Sequence, residues 1–159
     1  GHLYHSFALL EAVEQAEKRG DREALKRLAT RMEGMKDPGP ELIVWLARSR
    51  AEGGAPGEGE RILHAHEASL GANPLYWDVR GKILLDLGRL EEAEAAYRNA
   101  LALDPSLPKA MNNLGLIAWR RGDPARAETW FLRALQAKPD YELARRNLET
   151  VRNKREGKP

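Results

Sequence analysis

Four glycines constrain what this chain can fold into. Gly20, Gly54, Gly88 and Gly122 stand 34 residues apart, and further columns share that lattice. Ala47, Gly81 and Gly115 form one column, Gly59, Ala93 and Ala127 another, and Leu63, Tyr97 and Phe131 a third. Ala100 repeats as Ala134, and Pro105 as Pro139. Small residues, aromatics and prolines in register at one period identify a repeat array. Each unit of such an array buries its apolar face only by stacking on its neighbours.

Each unit reads as two helices. In residues 74–107, Trp77, Gly81 and Leu84 recur at helical spacing on one face, predicting a helix from about Leu75 to Leu87. Gly88 then supplies the positive φ that closes it. A second helix from about Leu90 to Leu103 turns Ala93, Tyr97 and Ala100 inward, and Asp104-Pro105 ends it. In the following unit Asp123 is an N-cap and Pro124 occupies the first turn, where a missing N–H costs nothing. Gly81 and Gly115 are expected to let the paired helix approach closely, with Tyr97 and Phe131 filling the gap.

This grammar resembles the tetratricopeptide repeat, or TPR. The likeness rests on Trp77, Gly81, Leu84, Ala93, Tyr97, Ala100 and Pro105 in residues 74–107. In residues 108–141 it rests on Leu114-Gly115, Ala118, Ala127, Phe131, Ala134 and Pro139, with Met111 where tryptophan is commonest. Residues 40–73 fit through Leu46-Ala47, Gly54, Gly59 and Leu63, but His66 takes an alanine position and Gly71 the proline position. Residues 6–39 keep Leu9, Ala12, Ala16, Gly20, Leu25 and Ala29. The resemblance implies an all-α, right-handed α-solenoid. Its four TPR-like helix pairs are 6–39, 40–73, 74–107 and 108–141, preceded by an extension over 1–5. A capping helix and tail over 142–159 bring the total to nine helices.

Little in the chain points to catalysis. With no cysteine, disulfides, thiolate metal sites and cysteine nucleophiles are excluded together. The glycine-rich stretch from Gly53 to Gly59 lacks the Lys-Ser/Thr pair of a phosphate loop and carries Glu58 instead, so it reads as an inter-helix turn. His64 and His66 stand two apart on a predicted helix and cannot share a metal. His66, in place of a small residue, is expected to point into a loosened interface between the second and third repeats or through it to solvent. The carboxylates are expected on outward faces and first turns. No metal, cofactor or catalytic residue is therefore predicted. The net charge of +2 is too balanced to imply nucleic acid. The basic tail of Arg145, Arg146, Arg152, Lys154, Arg155 and Lys158 is interrupted by Glu142, Glu149 and Glu156, and reads as a solvated helix. No segment is long and apolar enough to span a membrane and no export signal is visible, so a soluble, cytoplasmic chain is expected.

The resemblance also implies where a partner would bind. In TPR arrays the first helix of each pair lines a concave face that holds extended peptides or partner helices. On this chain that face would carry Trp45, Arg48, Asp78, Val79, Lys82 and Leu85. Lys109, Asn112, Asn113, Leu116, Trp119 and Arg120 follow, and the closing helix adds Arg146, Asn147 and Thr150. Asn113 and Asn147, one repeat apart, occupy the column that forms a peptide-grasping asparagine ladder in some TPR superhelices. A carboxamide pairs with a peptide group whatever the side chain. Trp119 and Leu116 form an apolar anchor rimmed by Lys109, Arg120 and Arg146, which suits an acidic or carboxylate-bearing peptide. The expected function is a non-catalytic protein-interaction scaffold with a protein or peptide partner. Two alternatives stand beside it: an accessory segment of a larger enzyme or membrane-associated assembly, and a homo-oligomer joined through incompletely covered Phe7, Leu9, Leu10 and Val13.

Overall fold

The structure is a computed structural model that describes residues 2–35 and 38–157, with side chains from residue 7 onward. The described residues form ten α-helices and no strand. The chain divides into two compact units, Gly1–Leu70 and Gly71–Pro159.

The first unit holds α1 (His2–Arg19), α2 (Arg22–Glu33), α3 (Pro40–Glu52), α4 (Pro56–Ala65) and α5 (Glu67–Leu70). Gly20 and Gly54 sit in the turns of the two pairs with φ of 66° and 94°. That left-handed backbone is one that side-chain-bearing residues rarely adopt. Leu9, Val13, Ala29, Met32, Leu42, Trp45 and Leu46 make the core of α1, α2 and α3. The stretch read as an extension is largely helical, because α1 begins at His2.

The second unit holds α6 (Pro74–Asp86), α7 (Leu90–Leu103), α8 (Pro108–Arg120), α9 (Pro124–Ala137) and α10 (Glu142–Arg155). The signals expected of Asp123 and Pro124 are present, and Asn73, Pro74 and Pro108 add others of the same kind. Asp123 accepts from the backbone N–H of Arg126, and Asn73 accepts from that of Leu75. Prolines 74, 108 and 124 open their helices. Helix α6 packs on α7, α8 on α9, and α10 on both α9 and α8. Gly81 and Gly115 are required by their neighbours. A Cβ on Gly81 would stand 2.9 Å from the Tyr97 ring, and one on Gly115 would stand 2.5 Å from Phe131. The absent methyl is thus the space that each aromatic ring occupies, and both rings are fully buried.

Four expectations need correction. There are ten helices rather than nine, because the fourth stops at Ala65 and a short α5 follows. The break falls at His66. Its backbone N–H bonds Leu63 O, its Nδ1 lies 2.8 Å from Ile62 O, and its own carbonyl accepts from the Ser69 hydroxyl. It caps a helix end instead of pointing out of a packing column. Of the apolar residues expected to be uncovered, Leu9 and Val13 are core, Leu10 is half-buried and only Phe7 is exposed. Finally, Glu60 and Glu94 are buried. Glu60 lies on the inward side of α4 with Gly59 and Leu63. Glu94 is tolerated inside because Arg98, Arg121 and Arg126 surround its carboxylate.

Candidate functional site

In the second unit the first helices of successive pairs pack on each other, α6 against α8 and α8 against α10. The residues expected on the inner face lie along this stack. Lys109 is exposed in the first turn of α8, and Arg120 is exposed at its end. The Arg120 Nη1 donates to Leu85 O on α6 at 3.4 Å. Arg146 is exposed on α10, with Nε 3.2 Å from Glu142 Oε1. Leu116 and Trp119 are half-buried and pack against the cluster of Ala118, Phe131, Leu148 and Val151. The Lys154 ammonium lies 5.6 Å from the Trp119 ring, a cation–π contact within α8 and α10.

Both ladder amides are engaged inside the protein. Asn113 Nδ2 donates to the Tyr97 hydroxyl at 2.9 Å, and Asn147 Nδ2 donates to Asn112 Oδ1 at 2.8 Å. Each bond fixes the plane of its carboxamide. Asn112 itself is buried, so of the eight candidates it alone is withdrawn from solvent. The column spacing hid these contacts, because they join residues 16 and 35 apart and not 34. The hydroxyl that distinguishes Tyr97 from Phe131 was the available signal.

Electrostatics are uneven along the face. Burial pushes the Asp78 carboxyl above its ordinary range, and the charge of Lys109 opposes that shift. Burial likewise pushes the Tyr97 hydroxyl up, reinforced by Asp78 and Asp86. Lys82 is spent on Asp86, at 2.6 Å. Most of the basic tail is also occupied: Arg145 meets Glu142, while Arg152 and Arg155 share Glu128 on α9.

The first unit presents its own expected pair. Trp45 is buried, and its indole N–H donates to Glu17 Oε1 at 2.9 Å. Arg48 reaches the same oxygen at 2.6 Å. Among the described residues no three acidic or histidine side chains gather in a way that would hold a metal ion. No described helix is long and apolar enough to cross a membrane.

Comparison with known proteins follows the same lines. The family model of the tetratricopeptide repeat matches residues 79–142. The cellulose synthase 2 operon protein C of Komagataeibacter xylinus is 35% identical over 94 residues, 57% of this chain and 7% of that protein. The chain spans only 7% and 8% of the lengths of the curated relatives it matches. Among solved structures, MamA superposes with a TM-score of 0.74 at 17% identity, covering 96% of this chain and 82% of its own. The second TPR domain of human RPAP3, solved with the HSP70 peptide SGPTIEEVD, superposes with a TM-score of 0.62 at 25% identity. That match covers 72% of this chain and 98% of the other. These likenesses show an all-α fold of TPR-type helix pairs.

Proposed function

From a chain that carries tetratricopeptide repeats across residues 79–142, we propose a non-catalytic protein-interaction scaffold whose second unit holds an extended acidic peptide. The observation that carries this reading is the combination on α8 and α10. Lys109 and Arg120 are exposed at the two ends of α8 and Arg146 on α10, on the same helices as the half-buried Trp119 and Leu116 and two amides whose planes are already fixed. Fixed amides bind a peptide backbone without first losing rotamer freedom. The peptide solved with RPAP3 carries two glutamates and an aspartate, which supports an acidic ligand on a fold of this kind.

The test uses a labelled acidic decapeptide library and its charge-reversed counterpart, titrated against the chain at low and high salt. Acidic sequences should bind and weaken with salt, because exposed charges are screened beyond about 8–10 Å near physiological ionic strength. Trp119→Ala should cost the most, roughly tenfold or more as expected of an aromatic anchor, and Asn113→Ala less. Unchanged affinity in both variants, with helicity intact, would move the site elsewhere.

A second reading is an accessory segment of a larger enzyme or membrane-associated assembly. It is favoured by the small fraction of each relative that this chain spans. In that setting the same inner face would dock a partner for a catalytic domain on another part of the polypeptide.

A further inference from the structure

Two buried side-chain atoms lack a hydrogen-bond partner among the described residues: Oδ1 of Asp78 and Nδ2 of Asn112. Buried polar groups are ordinarily matched, and each exception calls for a physical reason. The reason at Asp78 emerges from the neighbouring repeat. Asn112 stands 34 residues after Asp78, and its Oδ1 accepts from Asn147, 35 residues further on. The equivalent donor for Asp78 is Asn113, also 35 residues on. That donor is present, but it is turned elsewhere. Asn113 gives its N–H to the Tyr97 hydroxyl, an atom that Phe131 does not have. The bond to this phenolic oxygen holds the Asn113 carboxamide toward Tyr97, and Oδ1 of Asp78 on α6 is left without a partner among the described residues.

A waiting acceptor selects its ligand. The carboxylate of an acidic peptide side chain would be repelled at this point. A cationic side chain would meet the positive field of Lys109, which already acts on Asp78. A neutral donor fits both neighbours, and an extended segment offers one in every peptide N–H. Asp78 is only half-buried as a residue, so rotation about its side-chain bonds can bring Oδ1 to the groove. We propose that Asp78 is a specificity-determining residue, one that accepts a backbone N–H of the bound segment at the step between α6 and α8. This inference rests on the groove reading above and adds a requirement to it: the ligand is acidic toward Arg120 and Arg146, but presents an unblocked neutral donor at Asp78.

The experiment takes decapeptides selected from a phage-displayed library on the full chain, then resynthesises them with backbone N-methylation at each position in turn. One methylated position should weaken binding to the unaltered chain by about tenfold, the scale of one lost hydrogen bond to a charged group. Asp78→Ala should weaken the parent peptide similarly and make that same methylation silent. A purely structural Asp78 would not produce this coupling. Asp78→Asn should raise the melting temperature of the free chain at neutral pH, because an unmatched carboxylate is gone. If Trp119→Ala weakens binding while Asp78→Ala does not, the groove stands and this inference falls, with solvent satisfying Oδ1. An N-methyl profile identical in the two chains would overturn it equally. If no peptide is selected, or if neither variant matters, the groove reading itself fails and takes this inference with it.

Discussion

The α6–α7 and α8–α9 pairs are built on one plan around different rings. In both, a glycine on the first helix makes room for an aromatic ring from the second, and small residues at Ala93 and Ala127 let the helices close. In the first pair the ring is Tyr97, and its hydroxyl holds Asn113. In the second it is Phe131, and the corresponding Asn147 bonds Asn112 on the preceding first helix. Apolar packing therefore repeats faithfully while the polar wiring does not. The period governs volume, and a hydroxyl at one position redirects the amides around it.

The comparison can be broken most severely at the ring. Phe131→Ala empties a fully buried aromatic site, and denaturant unfolding should register a loss of roughly 3–5 kcal/mol. Overpacking comes next. Gly115→Ala should destabilise more than Gly81→Ala, since its added methyl lands 2.5 Å from a ring atom against 2.9 Å. Both, like Ala127→Leu in the small column, fall in the range of about 1–3 kcal/mol. Equal cost at the two glycines would mean that the pairs are not as differently packed as their geometry shows.

Tyr97→Phe sharpens the contrast, because it converts the ring of the first pair into that of the second. Alone it should cost about 1 kcal/mol, the worth of the hydrogen bond from Asn113. Combined with Asp78→Asn it reproduces the polar set of the second pair, and the double variant should lose less than the sum of the singles. The pH dependence has a defined sign. The carboxyl of Asp78 titrates above its ordinary value of 3.8 in the folded chain. Its destabilisation is thus absent below that value and develops as pH rises through the raised one. The melting advantage of Asp78→Asn should be full at neutral pH and vanish on acidification past the ordinary carboxylate range. The smallest effect is expected at Glu91→Ala, an exposed residue of the first turn of α7 whose loss should stay within about 0.5 kcal/mol. Thermal melts that ranked it above Ala127→Leu would overturn the assignment of inner and outer columns.

Much of this was legible before any coordinates. The 34-residue lattice located the turn within each helix pair, and the glycine–aromatic complement at 81/97 and 115/131 could be read from residue size alone. What stayed hidden has a common cause. Helix ends depend on competition between backbone and side-chain hydrogen bonds, so His66 at an alanine position gave no sign that α4 would stop there. Burial of Glu94 depends on arginines from three different segments, which no local pattern connects. At the candidate site, the columns placed the named residues on α8 and α10. The bonds that engage Asn113 and Asn147 run diagonally between columns, and only the folded stack shows them.

Glu94 also ties the two helix pairs of the second unit together. Its carboxylate on α7 meets Arg98 on the same helix, Arg121 just after α8 and Arg126 on α9. In a stacked array, each pair has its own small stability and is joined to the next by an interface energy. A low interface energy lets the end peel away pair by pair, whereas a high one makes any boundary between ordered and melted pairs expensive. A charge shared across that boundary belongs to the interface and to neither pair alone. It therefore favours joint melting of the α6–α7 and α8–α9 pairs, and leaves few partly unravelled molecules open to proteases or to unintended partners.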